Sequence, residues 1–222
     1  MITPDRTELS PNVNIPDMPA SVRTVIIHCT RSGAPGNPSE LEGTLHYMKT
    51  PGTVSSHWVI GRNGEQVRVV PDFRQAWHAQ EDNDNAWGIE VCQGVEADGF
   101  TPAQIDALVE VCRGYVEDFG VDARHGTTST SGGFVGHQET AQGRRNGKSD
   151  PGHLFPWDQF IQRLQEPPAP PVGNEVVGIG THYTDGSTSE IWAKGDNDNR
   201  VLDGLGVRYE NGTIQTVWER TP

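Results

Sequence analysis

The chain has 222 residues, 33% of them hydrophobic, with 26 Gly, 16 Pro and a formal net charge of −13. That length suits one medium domain and a small second one, loop-rich but globular. The acidic balance argues against nucleic acid as a partner, because phosphate binding needs a basic footprint. No apolar run approaches the roughly 20 residues that span a bilayer, so membrane insertion is not expected.

The first twenty residues, MITPDRTELSPNVNIPDMPA, are polar and punctuated by proline. They read as an arm over the domain surface. They lack a charged segment followed by an apolar core, so the expectation is a protein made in a cytoplasm without a signal peptide. Val22 to Cys29 is β-branched and reads as a strand. RSGAPGNPS is a turn cluster, and Ser39 is the expected N-cap of a helix ELEGTLHYMK that stops before Pro51. SSHWVIGRNGEQVRVVP places two β-rich runs around Asn63-Gly64, a pair that favours a hairpin turn.

WGIEVCQG is a further short strand. Thr101-Pro102 opens a helix with Ile105, Leu108, Val109, Cys112, Tyr115, Val116 and Phe119 on one face, and Gly120 ends it. FPWDQFIQRLQ is a shorter amphipathic helix. Strands alternate with helices, which predicts a sheet packed with helices. Cys29, Cys92 and Cys112 are odd in number and lack CxxC spacing, so they read as free buried thiols.

EPPAPPVGN reads as a stiff, extended linker. Beyond it, HYTDGSTSEIWAK and RYENGTIQTVWER align at an offset of 26 residues, Tyr183 with Tyr209 and Trp192 with Trp218. Each copy reads strand, Asp-Gly or Asn-Gly turn, strand, so two repeated β-hairpins are expected. The domain boundaries that follow are 1–166, a linker at 167–174, and a small β module at 175–222.

GHQETAQGRRNGKSDPG, Gly136 to Gly152, is nearly free of apolar residues, so apolar packing cannot order it. A metal ion is the obvious alternative. A catalytic zinc takes three protein ligands and keeps an open position. His137 and Asp150 can supply two of these, and His28, at the end of the first strand, is the best third candidate. Taken singly, His28 also reads as a satisfied core histidine and the loop as a solvated basic segment. His/His/Asp ligation suits zinc and would accept cobalt or nickel.

IIHCT, SSHWVIGRNG, AWHA, WGIEV and GHQ…KSDPG, in that order, resemble the type-2 N-acetylmuramoyl-L-alanine amidases, which share their fold with peptidoglycan recognition proteins. The resemblance covers about Val22 to Leu164. It implies an α/β fold with a central mixed β-sheet flanked by helices. It also implies one zinc per chain on His28, His137 and Asp150, and bacterial peptidoglycan as substrate. The implied reaction is hydrolysis of the amide between the lactyl group of N-acetylmuramic acid and L-alanine of the stem peptide. Glu90 in WGIEV is then the general base, and Lys148, two residues from Asp150, the oxyanion stabiliser. Glu90 also reads as an ordinary charge on a solvent-facing strand position.

The same resemblance places Trp77 and His78 of AWHA beside the substrate groove. Ser56 stands where some phage members carry a tyrosine, and it too is assigned to substrate binding. The linker and repeated hairpins favour a phage-type endolysin whose tail binds the cell wall, since tethering raises effective concentration on a polymer. Alternatives are a cytoplasmic recycling amidase acting on soluble muropeptides, a non-catalytic peptidoglycan-binding module, and a tail that pairs between chains through an exposed edge.

Overall fold

The computed structural model describes residues 3–166, and the strand backbones at 176–183, 188–190, 202–209 and 214–219. The chain divides into two compact units, Met1–Glu166 and Pro167–Pro222. The expected linker at 167–174 and the expected turns at Asp185-Gly186 and Asn211-Gly212 lie outside the described residues.

In chain order the first unit contains β1 (Arg6–Thr7), β2 (Val13–Asp17), β3 (Thr24–Cys29), α1 (Glu40–Lys49), β4 (Trp58–Ile60), β5 (Gln66–Arg68), β6 (Arg74–Ala76), β7 (Trp87–Val91), α2 (Pro102–Phe119), β8 (Gly133–Gly136), α3 (Ala141–Arg145) and α4 (Trp157–Gln165). Six strands form one sheet in the order β1-β5-β4-β7-β3-β8. Only the β4–β5 hairpin is antiparallel; the other pairings run parallel. The sheet is therefore mixed, as expected, with β4 and β7 at its centre and β3 between β7 and the edge strand β8.

Strand alternation assigns the two faces. Ile27, Ile89 and Ile60 pack with Leu108 and Cys112 of α2 and Phe160 of α4. On the opposite face Val59 and Val67 meet Leu45 and Met48 of α1. Ile26 and Val135 form a third apolar group with Ala79 and Ala86. Phe160 is fully buried, and removing a side chain of that size from such a site typically costs about 3–5 kcal/mol.

The local signals fix α2 at both ends. The Thr101 hydroxyl accepts the Gln104 N–H at 3.1 Å, and the Gln104 side chain accepts the Thr101 N–H in return. Pro102 stands in the first turn, and Gly120 closes the helix at φ 66°, a left-handed conformation that glycine adopts without a Cβ penalty. The three cysteines are free and buried.

Two expectations differ. The first twenty residues are stitched into structure and do not simply lie over it, because β1 extends the sheet beside β5 and β2 pairs with β6. Ser39 makes no side-chain cap on α1. Glu40 takes the surrounding donors instead: its buried carboxylate accepts from the Thr30 and Ser32 hydroxyls and from the Asn37 amide.

The second unit contains β9 (Val176–Tyr183), β10 (Thr188–Glu190), β11 (Leu202–Tyr209) and β12 (Ile214–Glu219). The β9–β10 and β11–β12 pairs are antiparallel, and β9 also pairs antiparallel with β11. The two repeats thus share one four-stranded sheet, ordered β10-β9-β11-β12.

Candidate metal centre

His28, the fifth of the six residues of β3, stands in register with Glu90 of β7. Both side chains leave the sheet on the face opposite α2. His137 follows β8 directly and opens a single 3-10 turn. Asp150 is carried to them on the segment after α3.

The Gly136–Gly152 stretch is therefore not a bare loop. Thr140 caps α3 by accepting the Gly143 N–H at 2.8 Å. Gly143 is required there: a Cβ would lie 1.8 Å from the His137 carbonyl oxygen. Arg31 ties the Asp150 segment to the end of β3 by donating to Ser149 Oγ at 2.7 Å and to the Pro151 carbonyl at 3.0 Å.

His28, His137 and Asp150 bring one ligand atom each within 4.8 Å of one another. His28 Nδ1 lies 3.0 Å from His137 Nδ1 and 3.4 Å from Asp150 Oδ2, and His137 Nδ1 lies 3.1 Å from Asp150 Oδ2. Tetrahedral zinc bonds of roughly 2.0–2.2 Å would set donor atoms about 3.3 Å apart, so the spacing fits that ion.

The protonation of the cluster makes the same point. His137 Nε2 donates to Gln142 Oε1 at 2.6 Å, and Nδ1 is the nitrogen turned toward His28 and Asp150. Burial works to raise the Asp150 carboxyl, but its hydrogen bonds with His137 and His28 outweigh that and hold it well below the usual range, so it is ionised. Burial brings His28 down to about 4, so its ring is neutral at pH 7 and carries a single N–H. Two imidazole nitrogens and a carboxylate oxygen that converge this closely are a donor set suited to a divalent cation.

Glu90 is half-buried, and its Oε2 is buried without a hydrogen-bond partner. Burial raises its pKa to about 8; Asp150 and Glu40 add to the rise and Lys148 opposes it. Lys148 is exposed, and its backbone N–H is held by Gly143 O at 2.8 Å. Glu90 also lines a cleft of about 310 Å³ bounded by Thr30, Glu40, Tyr47 and Val54.

The three residues assigned to substrate binding stand differently. Ser56 is fully buried and donates to the Trp58 carbonyl at 2.8 Å. Its hydroxyl is spent inside the protein, which removes it from any groove. Trp77 is partly buried and donates through Nε1 to Asn14 Oδ1 at 2.8 Å. His78 is partly buried, and its ring meets His28, with 3.0 Å between His78 Nδ1 and His28 Nε2. Sequence reading missed Gln142 and Arg31. A ligating histidine needs a partner for its second nitrogen, but nothing in the spacing identifies Gln142 as that partner.

The family model described as N-acetylmuramoyl-L-alanine amidase matches residues 18–153. Among curated proteins, the 1,6-anhydro-N-acetylmuramyl-L-alanine amidase AmpD of Escherichia coli (strain K12) is 34% identical over 115 residues, 48% of this chain and 56% of that protein. The N-acetylmuramoyl-L-alanine amidase AmiD of the same strain is 27% identical over 165 residues, 64% of this chain and 53% of that protein. The chain thus spans about half the length of the curated relatives it matches. A crystal structure of an AmpD derivative shares the fold at a TM-score of 0.55 and 24% identity, covering 74% of this chain and 96% of that one. A mutant endolysin from Bacillus subtilis does so at 0.54 and 20%, covering 73% and 99%.

Proposed function

The chain belongs to the N-acetylmuramoyl-L-alanine amidase family, and from that premise we propose that it hydrolyses the amide between N-acetylmuramic acid and L-alanine of the peptidoglycan stem peptide. The observation that carries this reading is the convergence of His28, His137 and Asp150 beside Glu90, a carboxyl with an unpartnered buried oxygen. A zinc held by His28 Nδ1, His137 Nδ1 and Asp150 Oδ2 would supply Lewis acidity and bring the pKa of water to about 7.

The remaining work falls to the protein's own groups. Glu90 takes the proton from the attacking water and returns it to the leaving amine nitrogen of L-alanine. A pKa near the working pH suits both steps, and burial supplies that rise. The Lys148 ammonium faces the oxygen on which negative charge develops. The cleft beside Glu90 holds the part of the substrate next to the scissile bond.

Two substrates share this bond. The printed names of the AmpD relatives favour soluble 1,6-anhydro-muropeptides, and none of those sequence relatives is named an endolysin. The lysin reading rests on the second unit, whose four-stranded repeat sheet would serve as a tether to polymer.

The test is zinc quantification with product analysis on both substrates, with and without chelator. About one zinc per chain and chelator-sensitive release of peptides with a free L-alanine amine support the amidase. Cleavage of soluble muropeptides alone assigns the recycling-type substrate, and cleavage of intact peptidoglycan assigns the lysin type. Zinc binding with cleavage of neither would overturn the proposed reaction.

A further inference from the structure

Two histidines beyond the ligand pair, His78 and His57, stand behind the centre, and the hydrogen bonds of His78 form a chain whose direction can be read. It begins at an unambiguous acceptor. His78 Nε2 lies 3.1 Å from the Ala86 carbonyl oxygen, so this nitrogen carries the proton. In a neutral ring Nδ1 is then bare. That bare nitrogen lies 3.0 Å from His28 Nε2, so His28 Nε2 carries a proton and donates it. His28 is left with a lone pair at Nδ1, the atom that faces His137 and Asp150.

The seat of His78 is built for this. Asn83 Oδ1 accepts the backbone N–H groups of His78 and Ala79 at 3.0 and 2.7 Å. The ring stands edge-on to His28, 83° between planes, and lies against Gly88. A Cβ at position 88 would come within 2.5 Å of the His78 ring, so the glycine of WGIEV makes room for it. Gly88 is fixed in turn by His57, whose Nδ1 accepts the Gly88 N–H at 3.0 Å while Nε2 donates to the Arg74 carbonyl at 2.9 Å.

We infer that His78 is a positioning residue of the metal centre: through its Nδ1 it selects the Nε2–H tautomer of His28 and so presents His28 Nδ1 to the ion. Groups that receive the second N–H of a ligating histidine fix its ring and raise its basicity, typically by 10–100-fold in metal affinity. This inference rests on the reading of His28, His137 and Asp150 as a zinc site. It gives His78 a part other than the expected one in the substrate groove.

The experiment compares His78→Asn with His78→Leu. The two side chains have nearly the same shape, and both lose the bond to Ala86. Only the Asn variant keeps an acceptor atom, Oδ1, at the branch position of His78 Nδ1. Zinc affinity is measured by chelator competition on the full chain, and the His28 tautomer by long-range proton–nitrogen correlation in the zinc-loaded protein. The expected result is a fall of about 10–100-fold for His78→Leu, recovery to within a few-fold of the parent for His78→Asn, and a His28 ring protonated at Nε2. Equal affinities for both variants and the parent, or a His28 ring protonated at Nδ1, would overturn the inference while leaving the zinc site intact. A parent that binds no zinc would overturn the underlying reading instead. A change confined to KM would return His78 to the groove.

Discussion

His28 and Glu90 face one another across adjacent parallel strands, paired in register between β3 and β7. Side chains of such a pair leave the sheet on the same face. The residue that presents a ligand atom and the residue that carries an unpartnered carboxyl oxygen are thus fixed by backbone hydrogen bonding between two interior strands. The apolar residues flanking each, Ile27 and Ile89 among them, lock the alternation by packing against α2 and α4. A one-residue slip of either strand would turn Ile27 or Ile89 away from α2 and set His28 or Glu90 against it.

Glu90→Gln is therefore expected to remove proton transfer without disturbing the centre. Gln is close in shape, and Glu90 is not among the three clustered ligand atoms. Bound zinc should stay near the parent value while turnover falls roughly 10²–10⁴-fold. Metal content and kcat measured on the same preparation decide it, and loss of zinc would mean that Glu90 is itself a ligand.

The raised pKa of Glu90 also sets a stability trend in protein stripped of metal. Its folded value is about 8 against 4.5 for the ordinary carboxyl. Between those values the unfolded chain has released the proton and the folded chain still holds it. Folded stability contributed by this group is complete below about 4.5 and falls as pH rises toward 8, by an amount on the order of a few kcal/mol. Chelated parent should thus lose stability over that interval and chelated Glu90→Gln should lose less. Urea midpoints at several pH values would show it; parallel curves for the two proteins would assign the trend elsewhere.

Lys148 tests the division of labour from the other side. Its side chain is exposed and its backbone is anchored independently by Gly143 O. Lys148→Ala should keep zinc and fold and lower turnover by about 10²-fold or more, the size of a lost oxyanion donor. A variant that sheds zinc would show the lysine to be structural.

Much of this was legible because the strongest signals were local. Thr101, Pro102 and Gly120 each act within one turn of their own position, and α2 begins and ends where they place it. The ligand set came from ordered motifs and converges in space. What the sequence does not show shares a physical cause. Ser56 and His78 lie in motifs expected beside the groove, but their environments are set by residues distant in sequence. Ser56 turns inward to Trp58 O and lies near Met48, and His78 bonds to His28, 50 positions away. Ser39 has the right residue type for a cap, but Glu40 takes the neighbouring donors. A cap preference of about 1 kcal/mol is easily overridden by a buried carboxylate that must be satisfied.

Two glycines give opposite expectations from the same substitution. Gly43 lies inside α1, and a Cβ there meets nothing within 4 Å. Gly43→Ala should therefore raise stability by about 0.5–1 kcal/mol through helix propensity alone. Gly143 lies in α3, and its Cβ would fall 1.8 Å from the His137 carbonyl, so backbone must move. That movement displaces the segment presenting a ligand atom and breaks the Thr140 cap, whose acceptor oxygen is 3.0 Å from the same Cβ. Gly143→Ala should lower both thermal stability and zinc affinity, and added zinc should recover part of the lost stability by mass action. Melting curves with and without zinc separate the cases. A Gly143→Ala protein that melts with the parent in both conditions would show that α3 can shift without cost, and that the close approach to His137 does not hold the centre together.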